Sequence, residues 1–296
     1  MASKSSLRSK ESHRHDQLTL EPILIVSPGK DEEDTKDQDR ASVIRTHESS
    51  GQQTMILIVC DGTTTSPKSA EAAEYVAENA KRIYEQDGMT SIVAGLYEKR
   101  NQLLNSPVKI SNEQPISIRT MFEEIVRDKY RVSYQTTFVS ACLRWDENAR
   151  PGKLTIKAAG CGDSGMFIFD ADGHLLFDNL GIRKTKGTFN HASPVTKVLP
   201  DNHDPETADI LFDSQEYDEN VRLLLCSDGF YDAFRTFDEI YRWLERFESE
   251  LRDEASQGKL MSELHQRLSG RTGDDDISLI LVQPTSYSKK TTWGFL

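Results

Sequence analysis

One stretch, residues 221–230, limits what the chain can fold into more than any other. An apolar run, Leu223-Leu224-Leu225-Cys226, ends abruptly in Ser227-Asp228-Gly229. A run of about four to eight apolar residues bounded by turn residues fits a strand covered on both faces, and a charge at its end is tolerable only where water, a partner or a metal meets it. The pattern recurs. Met55-Ile56-Leu57-Ile58-Val59-Cys60 runs into Asp61-Gly62, and Gly160-Cys161-Gly162-Asp163 repeats it in weaker form. Asp274-Asp275-Asp276 ahead of residues 277–282 gives it in mirror image. Any one such aspartate is most often a turn or cap residue, but four at the same strand-end position are hard to assign to turns. Aspartates so placed are oxygen ligands for hard cations, and a water between two such cations becomes a nucleophile near neutral pH. In outline this is a site for metal-assisted hydrolysis.

The remaining chain reads as short strands and helical pairs. Residues 18–26 read as a strand, and residues 40–45 and 55–60 as an antiparallel pair that sets Asp39 beside Asp61. Ser66 and Pro67 read as the N-cap and first position of a helix in which Ala72, Val76, Ala80 and Ile83 recur until Gly88 stops it. Residues 91–104 and 116–130 read as further helices, the second with Met121, Ile125 and Val126 on one side. Residues 136–145 and 154–159 form a predicted hairpin about a turn at 148–152, and residues 166–169 and 175–177 another about Ala171-Asp172-Gly173. From 179 to 217 the pattern dissolves into polar residues with Gly187, Pro194, Pro200 and Pro205, a length that compact domains spend on functional loops. Phe237, Ile240, Leu244, Phe247 and Leu251 mark one amphipathic helix, Leu260, Leu264 and Leu268 another, and residues 277–282 a closing strand. Antiparallel strands interleaved with helical pairs predict an α+β fold, two sheets sandwiched by helices. Residues 1–19 and 285–296 read as tails, the first a disordered one, around a single domain at 20–284.

Composition narrows the function classes. With 36 Lys+Arg against 48 Asp+Glu, a formal charge of −12 argues against a nucleic-acid surface and supplies no polybasic membrane anchor, while suiting a cation site. No apolar stretch approaches the roughly 20 residues needed to span a membrane, and the N-terminus has no signal-peptide apolar region. Cys60, Cys142, Cys161 and Cys226 lack C-x-x-C spacing and read as reduced thiols, which places the expected protein in the cytoplasm.

The spellings at the strand ends resemble those of the metal-dependent Ser/Thr protein phosphatases, the PPM or type-2C family, in its bacterial flavour. Residues 223–230 with Asp232 look like its signature strand, and Val59-Cys60-Asp61-Gly62 like its first Asp-Gly motif. Gln135-Thr136-Thr137 is similar to its Gly-Thr-Thr element, Gly162-Asp163-Ser164 to its Gly-Asp-Ser and Asp275-Asp276-Ile277-Ser278 to its terminal Asp-Asn-Ile-Thr. Asp37-Gln38-Asp39-Arg40-Ala41 resembles the early Asn-Gln-Asp-Ala element of bacterial members. The motifs stand in family order.

That resemblance implies a four-layer αββα sandwich with a centre of two Mn2+ or Mg2+ ions between two antiparallel sheets. It implies that Asp61 bridges both ions, that Asp228 and Asp275 complete the first site, and that Asp39 and the Gly62 carbonyl hold the second. Asp163 would belong to a looser third site that some members use. Asp61 and Asp228 would act through a water bridging the ions, which attacks phosphorus in line and displaces the Ser or Thr oxygen without a phosphoenzyme. The expected partner is a phosphorylated protein substrate, met by a monomer, and residues 179–217 fall where the family carries its substrate-facing flap.

The chain also departs from the pattern. Thr63-Thr64-Thr65 replaces the glycines or His that follow Asp-Gly, Gln135 replaces a glycine, Gly165 an Arg, and Asp276 an Asn. Asp34 stands about where a phosphate-binding Arg is expected, leaving Lys30, Lys36 and Arg40 as nearby cations, of which Lys36 and Arg40 are the candidate substrate contacts. Losing one charge-assisted phosphate bond costs about 1.5–3 kcal/mol, one to two orders of magnitude in rate. Every expected metal ligand is spared, so the sequence predicts an active, divergent phosphatase. The alternatives are a phosphoprotein-binding pseudophosphatase and a hydrolase of small phosphoesters.

Overall fold

In chain order the first half comprises β1 (Leu20–Ser27), β2 (Arg40–His47), β3 (Gln52–Gly62), α1 (Ser69–Glu78), a 3-10 helix (Ala80–Tyr84), α2 (Gly88–Leu104) and α3 (Ile116–Arg131). There follow β4 (Thr136–Asp146), β5 (Lys153–Cys161), β6 (Gly165–Phe169), β7 (Leu175–Asp178), β8 (Asp213–Asp218) and β9 (Arg222–Cys226). The last part holds α4 (Asp228–Asp232), α5 (Phe237–Arg246), α6 (Glu248–Leu251), α7 (Glu254–Ser269) and β10 (Ile277–Pro284). These elements come from a computed structural model, which describes residues 20–29, 38–47, 51–64, 66–108, 116–146, 153–180, 198–200, 213–218, 220–269 and 275–284.

The strands make two five-stranded sheets, ordered β1-β10-β9-β6-β7 and β2-β3-β4-β5-β8, with antiparallel pairing throughout. Side-chain alternation along β3 explains how they stack. Met55, Leu57 and Val59 face Leu223, Leu225, Ile280 and Val282 of the other sheet, forming the middle apolar layer. Ile56, Ile58 and Cys60 point the opposite way, onto Ala72, Val76, Ile92 and Leu96 of α1 and α2. The second sheet is likewise covered outside, where Phe167, Leu224 and Leu279 meet Phe230, Phe234, Ile240, Trp243 and Leu264. This is the αββα sandwich, and it accounts for the unbroken apolar runs at 55–60 and 223–226: each is buried on both faces.

Local details depart from the sequence reading. Ser66 does not cap α1. Lys68, in the left-handed region at φ 67°, precedes the helix, and the Ser66 hydroxyl instead accepts the Gln135 backbone N–H at 3.0 Å. The helix ends by Asn79 and tightens into the 3-10 turn, so Gly88 opens α2 rather than stopping α1. A Cβ at Gly88 would lie 1.6 Å from the Arg82 carbonyl oxygen, which only glycine can approach so closely. The predicted single helix through Leu251 breaks after Arg246 and restarts at Glu248. On α3, the expected helix forms, and Met121 and Ile125 on its apolar side are 52% and 46% exposed. All four cysteines are free and buried. Among the described residues no helix is long and apolar enough to cross a membrane. The expected tails at 1–19 and 285–296, the turn at 148–152 and most of the expected flap lie outside the described residues.

Candidate metal centre

The antiparallel registers bring the charged strand ends to one end of the sandwich. Arg40 pairs with Cys60, which sets Asp39 beside Asp61, and Gly62 pairs with Thr136 at the start of β4. Cys161 and Cys60 both lie across from Phe138, so the chain leaves β5 towards Asp163 beside the end of β3. In the facing sheet Cys226 pairs with Leu279, so Asp228 follows the end of β9 next to Asp275 ahead of β10.

The outcome is a crowd of carboxylates. Oxygens of Asp61, Asp163 and Asp228 all lie within 4.8 Å of one another. Asp39 is 1% exposed, and both of its carboxylate oxygens are buried without a hydrogen bond of ordinary geometry, the Ser227 and Ser278 hydroxyls offering only weak ones; Oδ1 of Asp163 is buried without a partner. Such burial of an unpaired charge is costly unless a cation meets it. The titration of the group registers that cost. Burial, then the neighbouring Asp163 and Asp232, pushes Asp228 up to about 7. Burial and the charge of Asp228 push Asp275 up to about 7, and burial with Asp275 and Asp232 nearby raises Asp163 to about 6. Asp61 is held well above the carboxylate range by burial, then by Asp39 and Asp228, and Asp39 by burial, then by Asp276. An all-oxygen, acidic donor set of this kind suits a hard divalent cation.

The surrounding chain fixes these groups. The Thr136 hydroxyl donates to the Asp61 carbonyl oxygen at 2.8 Å, and the Tyr231 hydroxyl to that of Asp163 at 3.0 Å. Asn179 holds the turn after Asp163, donating to the Ser164 carbonyl at 2.9 Å and accepting the Met166 N–H at 2.6 Å. A Cβ at Gly62 would lie 2.9 Å from the Ser69 carbonyl carbon, so α1 packs directly on the turn that carries Asp61. At Gly229 a Cβ would lie 2.1 Å from the Asp276 carbonyl oxygen. Gly229→Ala is therefore expected to destabilise the chain by about 1–3 kcal/mol through overpacking, read as a lower midpoint in denaturant unfolding.

The departures from the expected motifs have local explanations. Thr63 bonds through both its N–H and its hydroxyl to the Gln135 carbonyl oxygen, each at 3.4 Å, which pins the turn after Gly62 to the start of β4. Gly165 is buried, and a Cβ there would lie 2.7 Å from the Phe167 ring, leaving no room for a longer side chain. Of the expected substrate contacts, Arg40 donates to the Asp39 carbonyl oxygen at 2.6 Å, at the edge of the cluster. Lys36 lies outside the described residues, with Lys30, Asp34 and Thr65. Two further carboxylates emerge. Asp232 acts on Asp163, Asp228 and Asp275, and its spacing of four from Asp228, one turn of helix, was the signal for it. Asp276, a departure on paper, is bonded to backbone on both of its carboxylate oxygens. A separate acidic group, Asp170, Asp172 and His174, occupies the β6–β7 turn, where Asp170 already accepts the N–H groups of Asp172 and His174.

No family model matches the chain, and no curated protein matches it in sequence. Solved structures do. The chain superposes on the serine/threonine phosphatase Stp1 from Staphylococcus aureus with a TM-score of 0.54 at 17% identity, covering 91% of this chain and 98% of that one. On a bacterial serine phosphatase the TM-score is 0.51 at 15% identity, over 89% of this chain and 97% of the other. For the serine/threonine phosphatase of S. agalactiae it is 0.50 at 18% identity, over 90% and 99%. The chain shares their fold along nearly their whole length.

Proposed function

We propose that this chain, which has the fold of the bacterial type-2C phosphatases, is a metal-dependent protein phosphatase that hydrolyses phosphoserine and phosphothreonine. The observation that carries the reading is Asp39: a buried carboxylate whose oxygens make no hydrogen bond of ordinary geometry, among further carboxylates whose protons are held near neutral pH. Asp61, Asp228 and Asp275 would hold one Mn2+ or Mg2+, Asp39 and the Gly62 carbonyl a second, and Asp163, with Asp232 near it, a looser third. When bound, such a pair of ions supplies an acidified water and offsets the charge of the phosphoryl oxygens.

The chain's own residues perform the rest. Thr136 and Tyr231 keep the backbones of Asp61 and Asp163 in place, so the ligands are set before a cation arrives. The apolar layers beneath, with Val59, Cys60, Phe138 and Cys226 at most 1% exposed, keep water from approaching the carboxylates from inside the sandwich. Arg40 at the edge, with Lys36, would meet the phosphate or the flanking peptide. The phosphorylated protein would be met in a reducing, cytoplasmic setting by a monomer, and four free buried thiols suit that setting.

Purified protein assayed with Mn2+ or Mg2+ on a phosphothreonine peptide and on an aryl phosphate, beside Asp228→Asn, tests the proposal. Metal-dependent turnover of the peptide is expected, reduced at least about 1,000-fold in the variant. Turnover absent, or equal in the variant, overturns the enzyme reading. Turnover confined to the aryl phosphate makes the chain a small-ester hydrolase instead.

A further inference from the structure

Asp276 follows directly on Asp275, yet its carboxylate is engaged with backbone N–H groups from two other places in the chain. Oδ1 accepts the Gly29 N–H at 2.6 Å, and Oδ2 accepts that of Gln38 at 2.7 Å and, longer, that of Asp39 at 3.4 Å. Gly29 lies just past β1 of one sheet, and Gln38 and Asp39 lead into β2 of the other. A single carboxylate thus ties the two sheets together where the acidic strand ends meet.

The consequence falls on Asp39. Its side-chain oxygens make no hydrogen bond of ordinary geometry, the Ser227 and Ser278 hydroxyls acting on them only weakly, so its position depends chiefly on its backbone. That backbone is held from both sides: Arg40 donates to its carbonyl oxygen at 2.6 Å, and Asp276 takes its N–H and that of the preceding residue. Asp276 is itself fixed, since the Ser227 hydroxyl donates to its carbonyl oxygen at 3.4 Å and Gly229 packs on that same carbonyl. An Asn, the residue of the motif that this position resembles, could not make both of these bonds with Gly29 and Gln38 placed as they are in this chain. It offers one acceptor oxygen, and its NH2 would confront either the Gly29 or the Gln38 N–H donor to donor.

We infer that Asp276 is a positioning residue of the metal centre: it sets Asp39 to receive a divalent cation by holding the backbone on the N-terminal side of Asp39. The inference rests on the metal-dependent reading of the site. Residues that orient a ligand from behind are typically worth 10- to 100-fold in metal affinity.

The test is Mn2+ binding to the full chain, by calorimetry and by the electron paramagnetic resonance of free Mn2+, with the unfolding midpoint in EDTA recorded alongside. Asp276→Asn is expected to weaken one Mn2+ by about 10- to 100-fold and to leave a tighter Mn2+ within a few-fold of wild type. In an Asp39→Asn background the same change is expected to add little, because its effect passes through Asp39. If Asp276→Asn does not fold, Asp276→Glu replaces it; this variant keeps both acceptors on a longer arm and is expected to weaken the same Mn2+ several-fold. An unmoved isotherm in the folded variant, or an equal loss with and without Asp39, overturns the inference. A wild-type chain that binds no Mn2+ overturns this inference together with the phosphatase reading, whereas wild-type binding with an unmoved variant overturns this inference alone.

Discussion

Asp61→Asn is expected to abolish Mn2+-dependent turnover, by at least about 1,000-fold, while raising the unfolding midpoint of the metal-free chain. Both effects have one origin. Burial bears hardest on the Asp61 carboxylate, and the charges of Asp39, Asp228, Asp275 and Asp163 all add to it. The amide has nearly the same shape, so no cavity forms and the packing of Gly62 on Ser69 is untouched. What changes is an ionisable group. Without metal, the folded chain must either bear repulsion among buried carboxylates or hold a proton on Asp61 that the unfolded chain releases, and the amide removes that cost, on the order of 1–2 kcal/mol, or a few degrees in midpoint. With metal, the variant lacks the ligand expected to bridge both ions. Unfolding midpoints in EDTA and in Mn2+, beside calorimetric Mn2+ titration and peptide turnover, separate the two effects. A variant that is less stable than wild type in EDTA would make Asp61 a structural group, and one that keeps its turnover would remove it from the reaction.

How far such a centre could be foreseen depends on whether its signals are local. The strands of the core were legible because β3 and β9 carry unbroken apolar runs at 55–60 and 223–226, which two-sided burial requires, and because each run ends near a charge that needs company. The pairing of Asp39 with Asp61 followed from a strand, loop and strand, and the register bears it out. Features set by distant backbone were not legible. The Ser66 hydroxyl looked like a helix cap, but the N–H that claims it belongs to Gln135, and Gly88 looked like a helix stop because nothing nearby in sequence reveals the Arg82 carbonyl pressed against it. The apolar side of α3 was read from periodicity, which cannot tell whether a partner layer exists to cover it; Met121 and Ile125 stay exposed. Asp276 is the sharpest case. Its donors Gly29 and Gln38 stand 247 and 238 positions away, so the sequence displays only a departure from a motif where the fold has a clamp.

The metal-free chain is expected to lose stability as pH rises from about 5 to about 8, opposite to the usual behaviour of paired carboxylates. The sign follows from the direction of the shifts. Asp163 is raised to about 6 and Asp228 and Asp275 to about 7, so between the ordinary carboxylate value near 3.8 and these values the folded chain holds more protons than the unfolded one. Stability then falls with pH across that window; it is complete below about 4 and lost above about 7. Asp170, which its turn holds below the usual range, acts with the opposite sign but only below about pH 4. Several kcal/mol are at stake, on the order of 10 °C in midpoint. Divalent cation should reverse the trend, because it must displace those protons to bind and so binds more tightly at pH 8 than at pH 6. At 100 times its dissociation constant it adds about 2.7 kcal/mol. Unfolding midpoints at pH 5, 6, 7 and 8, in EDTA and in Mn2+, read both slopes. A metal-free midpoint that climbs over this range would mean that the strand-end aspartates already have partners within the protein, and the electrostatic case for a cation among them would be gone.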